Sequence, residues 1–156
     1  MIMLRDVDIV KTGNPEEGYS DKEELFNDVL QHKKDVSECM DMLSEHIHEI
    51  GENHDWTKVE FFDEFANDTL ERLDTPDFKE RDWYNIHCNF ERHHINAFVP
   101  DDVDFFDLLE FISDCLIAGK TRSGDVNYDV FNIDENIILK SYFNTVAKID
   151  NHLKLL

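Results

Sequence analysis

An all-α fold, a single domain of about five to six helices, is predicted by three features of the sequence. Apolar residues recur every three or four positions over long stretches, which is the period of a helix with one buried face. Helix-starting and helix-stopping residues punctuate those stretches. The length, 156 residues, suits one domain with a hydrophobic core.

Residues 1–19 are short, mixed and end in Gly13-Asn14-Pro15-Glu16-Glu17-Gly18; they read as a lead-in with one short extended piece at most, and residues 20–156 as the domain. Ser20 with Glu23 reads as a capping box that opens the first helix. Behind it Leu25, Val29, His32, Val36, Met40, Leu43, Ile47 and Ile50 form a stripe of inward positions, which Gly51 stops. Thr57 and Glu60 then cap a second helix carrying Phe61, Phe62, Phe65, Thr69, Leu70 and Leu73. Thr75 as cap and Pro76 as first helical residue start a third, with Phe78, Trp83, Ile86, His87, Phe90 and His94 along it. A fourth helix runs from Val103 to about Ala118, and Gly119 to Asp125 reads as a polar loop. The last helix runs from about Asp134 to the C-terminus through Ile138, Tyr142, Val146, Ile149 and Leu153.

Composition excludes several classes of function. Hydrophobic residues make up 41% and include twelve Phe, so the chain folds rather than remaining a disordered acidic segment. Lys and Arg number 15 against 36 Asp and Glu, a formal charge of −21, which repels long nucleic acids from any phosphate-contact mode of binding. The three cysteines, Cys39, Cys88 and Cys115, are odd in number and unpaired in spacing, as expected in a reducing compartment. No run reaches membrane-spanning length, and charge breaks the N-terminus too early for a signal peptide. The expected location is the cytoplasm, with no membrane partner.

The stretch richest in chemistry is His54-Asp55-Trp56-Thr57-Lys58. An imidazole supplies a neutral nitrogen ligand for a divalent metal, the adjacent carboxylate supplies charge and can bridge two ions, and the ammonium can hold an anionic oxygen. Asp114 lies in Phe111-Ile112-Ser113-Asp114-Cys115-Leu116-Ile117-Ala118, where an ionised carboxylate needs a partner or a metal, or else lies on a polar edge in line with Glu110. His87 and His94, seven apart, share one face of a helix, whereas His93 points elsewhere unless the helix ends just before it. Gly119-Lys120-Thr121 imitates the end of a phosphate-binding loop, but Asp114 stands where that loop needs glycine and a helix precedes it instead of a strand.

In that order, His32, His54-Asp55, His87, His94 and Asp114 resemble the HD-domain superfamily of metal-dependent phosphohydrolases. The chain is also similar to a small uncharacterised family common in phage genomes. That family has a His on the first helix, His-Asp-x-Ser-Lys, a later His with Arg-His-His, and an aspartate in an apolar helix. The matching positions here are His32, then His54 to Lys58, then His87 with Arg92-His93-His94, then Asp114, with Thr57 replacing the usual serine. The likeness covers roughly Leu30 to Ile149, and the Gly-Tyr-Pro signature of cyclic-dinucleotide phosphodiesterases is absent. The resemblance implies an HD-like bundle holding two divalent transition-metal ions per chain (Mn, Fe, Co or Zn) that hydrolyses a small phosphate ester, most naturally a nucleotide, in the cytoplasm (the host's, if phage-encoded). His32, His54, Asp55 and Asp114 would hold one ion. Asp55 would bridge to a second held by His87 and either His94 or His93. Asp55 and Lys58 would be catalytic, with Lys58, Arg92, Lys120 and Arg122 as phosphate contacts or, for the last three, solvated surface charges.

His32 carries a geometric objection. A first helix unbroken to Ile50 would take the chain about 27 Å from His32, so a shared metal needs a reversal near Met42 to Glu45; otherwise His46 or His48 is better placed. Three rival functions remain at this stage. The same ligands suit an HD-fold di-iron oxygenase. Glu45-x-x-His48 and Glu91-x-x-His94, with Glu64 and Glu110, have the spacing of a carboxylate-bridged di-iron bundle. The charge alone suits an acidic, non-enzymatic interaction protein such as a DNA mimic.

Overall fold

The computed structural model describes residues 2–13, 18–71 and 82–156. It is predominantly α-helical, with α1 (Lys22–Glu52), α2 (Trp56–Glu60), α3 (Phe62–Glu71), α4 (Asp82–Phe90), α5 (Phe105–Ser123) and α6 (Glu135–Asp150). Two three-residue strands, β1 (Val7–Ile9) and β2 (Leu153–Leu155), and a 3-10 turn at Tyr128–Phe131 complete the described elements. The Thr75–Pro76 helix start, Leu73 and Phe78 lie outside the described residues. No described helix is long and apolar enough to cross a membrane.

The chain forms two compact units, residues 1–49 with 146–156 and residues 50–145. In the first, β1 and β2 pair in parallel with Val7 opposite Leu153 and Ile9 opposite Leu155. The final helix therefore does not reach the C-terminus. It ends at Asp150, and Leu153-Lys154-Leu155 has the alternation of a half-covered strand instead. The lead-in is fastened to α1 as well: Gly13 N–H (2.8 Å) and the Tyr19 hydroxyl (2.6 Å) both donate to the Asp28 carboxylate.

Helix α1 starts one residue later than the capping-box reading. Asp21 accepts from the N–H groups of Glu23 and Glu24, both at 2.9 Å, while Glu24 reaches back to the Ser20 N–H and hydroxyl. The helix then runs unbroken, so no reversal occurs at Met42–Glu45. Its buried side chains are Met42 and His46, whereas Leu25, Val29, His32, Val36, Met40 and Ile47 of the expected inward stripe are exposed. The three-to-four spacing correctly signals a helix. Which face is covered depends on what packs there, and that falls about one residue round from the apolar stripe.

In the second unit the expected second helix is divided. Phe61 leaves helical geometry (φ −110°, ψ 43°), which separates α2 from α3. Helix α4 ends at Phe90, short of His94, and the chain turns through His94 N–H to Glu91 O and Ile95 N–H to His93 O. Helix α5 is longer than expected. Asp104 caps it, in a reciprocal box with Asp107, and Gly124 (φ 77°) ends it, so Gly119 to Ser123 is helix rather than loop. Gly119 is needed inside that helix because a Cβ there would lie 2.4 Å from Asn127 N and 2.6 Å from Asp125 O. The core of the unit is Ile95, Val103, Leu108, Phe111 and Cys115, with Ile112, Val130 and Ile137 packed against it.

Candidate metal centre

Four short segments of the second unit bring the site together. The first is the turn after α1, where Asp55 adopts left-handed backbone (φ 58°, ψ 26°), the one non-glycine among the described residues to do so. Aspartate tolerates this region better than most residues, and strain held at such a position is characteristic of functional sites. The second is α4, where the His87 ring stacks on Trp83 (centroids 4.8 Å apart, planes 19° apart), itself packed against Phe65. The third is the turn after α4, and the fourth is the exposed-to-buried edge of α5 that carries Glu110 and Asp114, one helical turn apart.

Arg92 ties the third segment to the fourth. Its Nε and Nη2 donate to the two Asp107 oxygens at 2.8 Å each, and Nη1 donates to Asp102 at 2.9 Å. Burial works against its charge, but the Asp107 carboxylate outweighs this and keeps the guanidinium charged. Asp107 is also the residue that closes the α5 cap through the Asp104 N–H. Arg92 is therefore a structural clamp with its fork committed, not a free phosphate contact.

The turn that Arg92 holds directs both His93 and His94 inward. Asp55, His87, His93 and His94 offer ligand atoms that all lie within 4.8 Å of one another. Asp55 Oδ1 is 3.3 Å from His87 Nε2 and 3.8 Å from His93 Nε2, and His94 Nε2 is 2.7 Å from His87 Nε2. The other Asp55 oxygen faces a second set: His54 Nε2 is 3.5 Å from Oδ2 and 3.6 Å from Asp114 Oδ1, and Lys58 Nζ pairs with Oδ2. Asp55 thus presents one oxygen to each group.

The polar balance of this cluster is incomplete. Asp55 Oδ1 is buried without a hydrogen bond, and so are both ring nitrogens of His93, a residue only 1% exposed. Buried polar atoms normally find partners, and orphaned ones at converging histidines and a carboxylate are what a bound cation would satisfy. The donor set, imidazole nitrogen with carboxylate oxygen, fits a divalent transition metal.

Electrostatics follow from the same contacts. Burial, then the neighbouring His93 and His87, push His94 down to about 3, which leaves its ring neutral. Asp114, then Glu110, raise His54 to about 10. Burial opposes ionisation of Asp55, but the paired Lys58 ammonium and the neighbouring His54 hold the carboxyl well below its ordinary range. Glu110 is lowered despite burial by His54 and His93, and Asp114 is lowered chiefly by His54.

Of the residues singled out by sequence, His54, Asp55, Lys58, His87, His93, His94 and Asp114 come together. His93 joins His94 rather than replacing it, because α4 stops before both. His32 belongs to the first unit, where it is exposed on α1, and is not in the ligand groups found among the described residues. Neither His46 nor His48 belongs to the ligand groups found among the described residues. Lys120 and Arg122 are exposed in the last turn of α5. The Glu-x-x-His pairs of a di-iron bundle are not formed, since Glu45 pairs with Arg5 at 2.8 Å and Glu91-His94 lies beyond the end of α4.

Three residues have roles the sequence reading missed. Glu110 Oε1 accepts from His54 Nδ1 at 3.0 Å and lies 3.0 Å from His93 Nδ1, off the line of that N–H. Thr57 is no helix cap; its hydroxyl and N–H meet Glu91, and its oxygen lies 2.6 Å from His87 Nδ1. The available signals were the spacings Glu110–Asp114 and His87–Glu91, each one helical turn.

No curated protein and no solved structure matches this sequence. Residues 21–152, most of the chain and all of the candidate centre, match a family model, and the protein belongs to that family: the family of unknown function DUF5662.

Proposed function

We propose that this protein is a metal-dependent phosphohydrolase with an HD-like site, acting on a small phosphate ester and by preference a nucleotide. The observation that carries the metal is the set of buried, unsatisfied atoms, Asp55 Oδ1 and the His93 ring, at the meeting point of three histidines and a carboxylate. The phosphate ester rests on the resemblance of His54-Asp55 to Lys58, His87, the Arg92-His93-His94 run and Asp114 to HD-domain phosphohydrolases.

His87, His93, His94 and Asp55 would hold one ion, and His54 and Asp114 a second shared through Asp55. When bound, such ions acidify water to a hydroxide-like nucleophile and neutralise phosphoryl oxygens. The chain's own part is positional. Glu110 orients His54, the Trp83 stack orients His87, and the Arg92 clamp holds the His93-His94 turn against α5. Lys58 is paired with Asp55, so a substrate phosphate would draw it from Asp55 Oδ2. A surface of charge −21 suits a small substrate better than a long nucleic acid.

The test is metal content by elemental analysis of wild type and Asp55→Ala, purified without chelator. One or two Mn, Fe, Co or Zn ions per chain, lost in the variant, are expected, with phosphoester hydrolysis by the loaded wild type. Oxygen consumption in place of hydrolysis would favour the di-iron oxygenase. Absence of stoichiometric metal after reconstitution with each ion would overturn the reading and leave an acidic interaction protein.

A further inference from the structure

The threonine of the His54-Asp55-Trp56-Thr57-Lys58 stretch is buried. It is 1% exposed, as is His87, and Glu91 behind it is 5% exposed. Three contacts link them. Glu91 Oε1 accepts from the Thr57 N–H at 2.9 Å and from the Thr57 hydroxyl at 2.7 Å, and the hydroxyl oxygen lies 2.6 Å from His87 Nδ1. A hydroxyl has one hydrogen. Because that hydrogen goes to the carboxylate, the hydroxyl oxygen can only accept from His87, and Nδ1 must carry the hydrogen. The lone pair of the neutral ring is then on Nε2, the nitrogen 3.3 Å from Asp55 Oδ1 and 2.7 Å from His94 Nε2.

We infer that Thr57 is a positioning residue that, backed by Glu91, fixes the His87 tautomer so that Nε2 faces the metal centre. The inference rests on the metal reading above and assigns the hydroxyl of the motif to ligand orientation rather than to phosphate binding. A carboxylate behind a ligand histidine is the usual outer-shell arrangement, and here a hydroxyl is interposed. The chain supplies the geometry in two ways. His87 and Glu91 are four residues apart across the end of α4, and Thr57 is in the first turn of α2, which packs on α4.

The test compares Thr57→Ser, which keeps the hydroxyl, with Thr57→Val, which keeps the shape and removes it. Cobalt(II) is titrated into metal-free protein against a competing chelator, and the ring-nitrogen NMR signals of His87 are recorded without metal. Thr57→Val is expected to bind cobalt roughly tenfold to a hundredfold more weakly, the range for losing an outer-shell partner. It should also lose the pure Nδ1–H tautomer, while Thr57→Ser stays within about threefold of wild type on that scale. If Thr57→Val does not fold, Glu91→Ala provides the same comparison against Glu91→Gln, whose amide oxygen still accepts. Equal affinity and an unchanged tautomer in Thr57→Val would overturn the inference, as would equal weakening by both Thr57 variants, since packing alone would then explain the site. A wild type that binds no cobalt yet shows the hydroxyl-dependent tautomer would defeat the metal reading and, with it, the orienting role.

Discussion

Glu110 offers a single oxygen, Oε1, to two imidazoles that face different groups of ligands. His54 donates to it in line, and His93 approaches as closely but off axis. Its loss should therefore release two rings at once. Glu110→Ala is expected to weaken metal binding about tenfold to a hundredfold. Glu110→Gln should weaken it less, because an amide oxygen still accepts from His54. Chelator-competition titration reads both, and a Glu110→Ala protein that binds like wild type would remove Glu110 from the site. The residue types were legible at this scale: His54, Asp55, His87, His94 and Asp114, singled out by their order, come together in one cluster. The contacts behind them were not. Thr57 looks like a helix cap and Arg92 like a phosphate binder until their partners, Glu91 and Asp107, arrive from 34 and 15 residues away.

Helix boundaries decide more of this site than helix existence does. Had α4 continued to His94, His93 would point away from the ring of ligands; because it stops at Phe90, both histidines turn inward. The stop follows from tertiary contacts, with Arg92 clamped to Asp107 and Ile95 in the core. Helix α5 supplies the opposite case, since glycine and polar residues suggested a loop where the helix in fact continues. Gly119 is there because residues 125–127 approach it too closely for a side chain, which no local pattern encodes. A test of sign follows. Helix propensity alone makes Gly119→Ala stabilising by about 1 kcal/mol. The 2.4 Å approach to Asn127 N makes it destabilising, and a lowered thermal midpoint is expected. A raised midpoint would mean that the 125–127 segment yields easily.

Charge acts on the molecule as a whole. A net −21 over 156 residues leaves strong self-repulsion in the folded state, whatever individual pairs contribute. Raising salt from about 10 mM to about 150 mM shortens the screening length from about 30 Å to about 8 Å and should relieve it. The metal-free protein is therefore expected to melt at higher temperature in the higher salt. A midpoint that stays fixed or falls would show that attractive surface pairs, such as Arg5–Glu45, already balance the repulsion.

By itself the sequence determined that the chain is helical, where most of its helices lie, and which side chains are candidates for a metal centre. These are local properties, written in spacing, capping residues and side-chain type. Tertiary structure alone decided which face of α1 is covered, that His93 joins the cluster beside His94, and that Thr57, Glu91, Glu110 and Arg92 stand behind its members. Each of those outcomes depends on a partner distant in sequence, and a helical period fixes a residue's angle about its own axis without fixing what stands opposite it.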